Sequence, residues 1–142
     1  MKNRGFTLTE VLAAITILGI VLLIAVPSIS KLRDTINRRA IKHDAEMFIA
    51  LAKEYIETHP ELYEEERFLL SDKPVKLDLS KIDDSKFNGD YTSGSITASN
   101  CSVIGLKYKC NEYKVVLKNS DYRAEGTEVN IEIKKWNGSS YE

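Results

Sequence analysis

Cysteine, histidine and tryptophan are scarce in this chain: two, two and one among 142 residues. Two cysteines and two histidines are too few for a structural zinc cluster, and the cysteines do not form a Cys-x-x-Cys redox pair. Charge of one sign is not in excess either. Lys and Arg number 20 against 21 Asp and Glu, a net charge of −1, which gives no support for general nucleic-acid binding. There is no phosphate-binding loop, no hydrolase elbow and no convincing catalytic grouping of His, Ser and Cys. His43 and His59 read as a surface-helix and a helix-end residue. No enzymatic activity, cofactor or metal is therefore expected. Repeats and low-complexity tracts are missing too, and a hydrophobic fraction of 43% is not that of a disordered chain. The length suits one modest domain plus an extension.

What the chain does have is concentrated at its start. Val11 to Ser30 is twenty residues without a charge, and Val11 to Val26 is broken only by Thr16 and Gly19. A helix of that length spans about 30 Å, roughly the hydrocarbon thickness of a bilayer. A buried core helix fits poorly, because the run is apolar on every face and so short a chain has little protein to surround it. A cleaved secretory signal fits poorly as well, since Ala25-Val26-Pro27 is a bad match to the small-residue cleavage site. The helical pattern continues past Pro27, which lacks an N–H and should loosen the helix, and Gly19 is a second soft point. One acid, Glu10, sits at the edge of the run.

Lys2-Asn3-Arg4-Gly5 followed by Phe6-Thr7-Leu8-Thr9-Glu10-Val11-Leu12 resembles the processing motif of type IV pilins and the pseudopilins of type II secretion and competence systems. The resemblance covers residues 1 to 30. It implies that a prepilin peptidase cuts between Gly5 and Phe6 and methylates the new amine of Phe6. Glu10 then falls where the family carries its glutamate, and Gly19 and Pro27 fall where members have helix-weakening residues. Thr9 departs mildly from an aliphatic preference, and its hydroxyl can bond a preceding carbonyl. The resemblance also implies a role for Glu10: its carboxylate pairs with the amine of a neighbouring subunit during filament assembly. Leaving one member unpaired in a low-dielectric setting costs about 3–5 kcal/mol, which would favour one axial register. The alternative is that Glu10 merely snorkels at the membrane interface.

Orientation carries a conflict. Lys31, Arg33, Arg38, Arg39 and Lys42 follow the apolar run, against Lys2, Arg4 and the amine before it, so a positive-inside count opposes the family orientation. The processing motif is given more weight, because long C-terminal domains translocate despite their charge.

Beyond Pro27 the pattern becomes amphipathic. Ile29, Leu32, Ile36, Ala40, Met47 and Leu51 form one stripe, and Ile41, Ala45, Phe48, Ala52 and Tyr55 a second beside it. Thr58-His59-Pro60 is a stop signal. A helix from Phe6 to Thr58 would be about 80 Å long. Its charge changes sign along its length: five bases and one acid in 31–43, then eight acids and Lys53 in 44–66. The bland reading is a solvated face followed by a solvated loop; the sharper one is axial complementarity between subunits.

The remainder reads as β. Alternation at Val75-Leu77-Leu79, Leu106-Tyr108-Cys110, Tyr113-Val115-Leu117 and Val129-Ile131-Ile133 predicts three or four short antiparallel strands packed across the amphipathic helix. Turns are expected at Asn88-Gly89, Asn119-Ser120-Asp121, Glu125-Gly126 and Asn137-Gly138. Cys101 and Cys110 enclose eight residues. Outside the membrane a structural disulfide is expected, two free thiols being the alternative. Asp83 to Gly94, DDSKFNGDYTSG, offers oxygen ligands for calcium but follows no EF-hand pattern and reads as a solvated loop.

The expected architecture is α+β and pilin-like: a leader at 1–5, a membrane or filament-core helix half at 6–30, an amphipathic half at 31–58, and a β-rich extracellular region at 59–142. The resemblance implies a structural subunit of a type IV pilus or pseudopilus. It would be held in the bacterial inner or cytoplasmic membrane by a single pass, with its N-terminus cytoplasmic. It would then enter an extracellular or periplasmic filament. Its partners would be copies of itself and other pilins, prepilin peptidase, the assembly platform and motor, and membrane lipid. The alternative is a minor pilin or competence pseudopilin acting as a surface binding module in adhesion or DNA uptake. An exposed patch of Lys107, Tyr108, Lys109 and Tyr113 would favour that alternative, and DNA binding stays open.

Overall fold

The computed structural model describes residues 5–59, 74–104 and 107–142; the side chains at 84, 103, 104, 107 and 108 lie outside that description. Helix α1 runs from Leu8 to Thr58 with Pro27 inside it. It begins two residues later than the expected start at Phe6, for a reason given below. The chain divides into two units, Met1–Asn37 and Arg38–Glu142.

In the second unit, the Arg38–Thr58 part of α1 packs on a five-stranded antiparallel sheet. The strands are β1 (Val75–Asp78), β2 (Ser93–Ile104), β3 (Lys107–Lys118), β4 (Tyr122–Thr127) and β5 (Ile131–Lys135). Their spatial order is their chain order, a plain meander. Ile41, Ala45, Phe48, Ile49, Ala52 and Ile56 are buried on the helix, at the three- and four-residue spacing that keeps side chains on one face. Of the two stripes legible in the sequence, the second therefore faces the sheet. Opposite it lie Val75 and Leu77, Ile96 and Ala98, Val115 and Leu117, Ala124 and Ile131. Gly94 admits the helix closely: a Cβ there would stand 3.2 Å from Phe48 Cε1 and 2.9 Å from Leu117 Cδ1.

The sheet has five strands because β2, SGSITASN at its start, is a strand that its small and polar composition hides. Tyr108-Cys110 and Tyr113-Val115-Leu117 belong to one strand, not two, while Leu106 lies outside the described residues. The buried positions change phase between Cys110 and Tyr113, and across the ladder between Ala98 and Cys101. Between the latter pair, Asn100 takes φ 54°, a left-handed conformation that Asn tolerates. Glu125-Gly126 lies within β4, and the β4–β5 turn is instead Glu128-Val129, closed by reciprocal 3.0 Å bonds between Thr127 and Asn130. Val129 is thus an exposed turn tip rather than a strand residue.

Cys101 and Cys110 are direct cross-strand partners and are joined, Sγ–Sγ 2.11 Å. β1 pairs with β2 only over 95–98, and β4 with β3 only over 114–118. Among the described residues, 99–104 and 107–112 therefore form a two-stranded ribbon, an arrangement of marginal stability by itself. Replacing both cysteines with serine is expected to cost about 2.5–3 kcal/mol by loop entropy. Amide hydrogen exchange should then rise first at 99–112 while β3–β5 pairing stays protected. Equal protection of the ribbon with and without the bond would contradict this.

Candidate processing and assembly site

The start of α1 is set by Thr7. Its Oγ1 lies 3.3 Å from Glu10 N, accepting from it, while Thr7 N donates to Glu10 Oε2 at 2.8 Å. This is a capping box: Thr and Glu three residues apart satisfy each other's free amides at a helix N-terminus. Thr7 Oγ1 also bonds Glu10 Oε2 at 2.9 Å. The Thr9 hydroxyl meets Thr7 Oγ1 at 3.1 Å.

The cap leaves Gly5, Phe6 and Thr7 outside the helix. Phe6 is 87% exposed, and among the described residues nothing lies within 4 Å of a Cβ built on Gly5. The bond between Gly5 and Phe6 is therefore sterically open, whereas a bond inside an α-helix would be shielded by the ladder. Lys2 and Arg4 lie outside the described residues.

From Leu8 to Ile36 the large apolar side chains are exposed, including Leu23 at 79% and Ile24 at 70%. The hydroxyls within or near the run are consumed internally: Thr16 bonds Leu12 O at 2.8 Å and Ser28 bonds Ile24 O at 3.3 Å. This lowers the cost of taking them out of water. Among the described residues, α1 contains the stretch long and apolar enough to cross a membrane. Gly19 meets no neighbour, and Pro27 withdraws the bond that Leu23 O would accept.

Residues 1–26 match the family model described as the prokaryotic N-terminal methylation motif. The chain carries a prepilin signal. No curated protein and no solved structure matches the chain. The prepilin signal supports a type IV pilin-like or pseudopilin-like protein, and with the sheet fold it points to a structural role. Such a signal implies processing by a prepilin peptidase and assembly into filaments. The apolar helix is consistent with membrane anchoring.

Two other regions singled out in the sequence are resolved differently. The Asp83–Gly94 segment is tied to the helix by Asp44, a residue the sequence reading placed on the solvated face. Asp44 is fully buried. Its Oδ2 accepts from Asn88 N at 2.9 Å and Tyr91 Oη at 2.5 Å, and its Oδ1 from Asn88 Nδ2 at 2.7 Å. Phe87 stacks edge-on between Phe48 and Tyr91. Burial, with the Asp44 bond second, raises the Tyr91 phenol far above its ordinary value. Asp83 holds the Ser85 amide at 3.1 Å, and that serine's bonds lower its carboxyl below the usual range. Among the described residues, no group of three or more His, Cys, Asp or Glu is placed to hold a metal.

Of Lys107, Tyr108, Lys109 and Tyr113, whose joint exposure would favour a binding module, Tyr113 does not contribute an exposed ring. Tyr113 is buried, with Lys53 Nζ 5.0 Å above its ring, and its phenol is raised first by that burial. The side chains of Lys107 and Tyr108 lie outside the described residues. Part of the charge switch along the helix is also spent inside the fold. Arg38 donates to Ile133 O at 3.0 Å, Asp44 is buried, and Lys53 pairs with Glu128 at 2.5 Å.

Proposed function

We propose that this chain is a structural subunit of a type IV pilus or pseudopilus filament. Its leader, 1–5, is removed between Gly5 and Phe6, and cleavage takes away Lys2 and Arg4, moving the formal net charge from −1 to −3. The apolar half of α1, 6–30, holds the processed chain in the bacterial inner or cytoplasmic membrane, with the amine on the cytoplasmic side. The region after residue 58 lies outside that membrane. A separate motor and platform then draw subunits into a fibre, where apolar helices of neighbouring copies replace lipid. Close packing and satisfied polar groups supply the drive there, since hydrocarbon surrounds the helix before and after. Glu10 accepts the Phe6 amine of a neighbour and so sets the axial register.

The observation that carries this reading is the prepilin signal directly joined to an apolar helix exposed on its large side chains. The outer face of the sheet agrees with a shaft subunit. There Lys114 lies 3.7 Å from Glu112, and Arg123 lies 2.7 Å from Glu125, which also accepts from Lys134. Signs of both kinds alternate rather than forming one steering field. A second reading, a minor pilin or competence pseudopilin with a binding surface, draws support from one corner. Trp136 is 41% exposed beside Tyr141, with Lys118 Nζ 5.2 Å above the tyrosine ring.

In cells carrying the assembly machinery, the processed chain is expected in the sheared-filament fraction, and only while the motor is active. Processed chain found wholly in the membrane fraction under those conditions would overturn the reading.

A further inference from the structure

The capping bonds divide the Glu10 carboxylate into two unequal oxygens. Oε2 takes both bonds from Thr7, one from its amide and one from its hydroxyl. Oε1 takes no hydrogen bond among the described residues. Every atom of the box lies on the C-terminal side of the Gly5–Phe6 bond. Cleavage there leaves Thr7 N as a peptide amide, so the box survives processing intact.

We infer that Thr7 is a positioning residue for assembly: it holds Glu10 by Oε2 so that Oε1 is presented to the amine of an arriving copy. This rests on the proposed pairing of Glu10 with a neighbour's Phe6. A free glutamate side chain has several rotors, and freezing them at docking costs conformational entropy. Thr7 has already frozen them. The hydroxyl does two separable jobs. As an acceptor it caps the Glu10 amide and starts the helix. As a donor it fixes the carboxylate. Only the second job bears on assembly by this inference.

Three substitutions separate the jobs. Thr7→Ser keeps both. Thr7→Asp keeps the cap, since Asp is at least as good an N-cap as Thr, but it has no hydrogen to donate and sets carboxylate against carboxylate. Thr7→Val removes the hydroxyl at constant size and adds no charge. The readout is the yield of sheared filaments per processed chain, with processing measured by the mass of the N-terminal peptide and Glu10→Val run in parallel. Thr7→Ser should assemble within twofold of the parent. Thr7→Asp and Thr7→Val should fall tenfold or more at unchanged membrane insertion. If Glu10→Val fails to assemble while Thr7→Asp or Thr7→Val assembles like the parent, the inference is wrong and Thr7 serves only the helix start. If Glu10→Val itself assembles like the parent, the pairing beneath the inference is wrong and the inference falls with it.

Discussion

Asp44→Ala is expected to destabilise the Arg38–Glu142 unit by about 3–5 kcal/mol, a large share of the roughly 5–15 kcal/mol typical of a domain. Three donors converge on this buried carboxylate: the Asn88 amide, the Asn88 side chain and the Tyr91 hydroxyl. Alanine removes the acceptor of all three at once and unties the Asp83–Gly94 segment from the helix. Asp44→Asn should be nearly as damaging, because an amide turns one acceptor into a donor opposite another donor. Tyr91→Phe should cost less, about 1–2 kcal/mol, since Asn88 still serves both oxygens. Urea unfolding of the three variants checks the order. Asp44→Ala within 1 kcal/mol of the parent would remove the carboxylate from the account. The same contact sets an alkaline limit. The folded-state Tyr91 phenol titrates above its unfolded value of about 10, so the native state keeps a proton that the unfolded chain releases. Stability from this group is complete below about pH 10 and is lost as pH rises beyond it. Tyr91→Phe should remove that part of the alkaline loss.

Glu10→Val is expected to abolish filaments while leaving insertion and cleavage intact. Valine makes the helix start more apolar, so the membrane form is not penalised. The scissile bond and its basic leader are unchanged, and Gly5 and Phe6 already lie outside the helix. In the filament the Phe6 amine of a neighbour would lose its only designated acceptor. An unpaired charge in a low-dielectric setting costs about 3–5 kcal/mol, more than a hundredfold in an association constant. That penalty recurs at every subunit added. The intrachain loss, one capping box, is about 1 kcal/mol and cannot account for so large a drop. Membrane and sheared fractions, compared by quantitative immunoblot, check the outcome. Processed Glu10→Val protein at normal abundance in filaments would reduce Glu10 to a helix cap.

Most of the fold was legible because its periods are strong. The uncharged run after Glu10 and the stripe Ile41-Ala45-Phe48-Ala52 need no tertiary information. Where the reading failed, tertiary partners decided. Asp44 sits within the buried stripe by spacing, but its type argued for solvent, and its donors lie 44 and 47 residues away. β2 carries few of the residues that mark strands: from 93 to 102 only Ile96 and Thr97 are β-branched and none is aromatic, and Gly94 makes room for the helix rather than filling space itself. β3 read as two strands because its buried positions change phase near Asn111. Within the candidate site, the pattern Thr7-x-x-Glu10 was visible as a capping box. That spacing places the helix start after Thr7 rather than at Phe6.

Whether this chain is a prepilin substrate is decided by the mass of its N-terminal peptide after co-expression with a prepilin peptidase. A chain beginning at Phe6 and carrying one methyl group on its amine is expected. An intact N-terminus, or one generated near Ala25 and Val26, would contradict it.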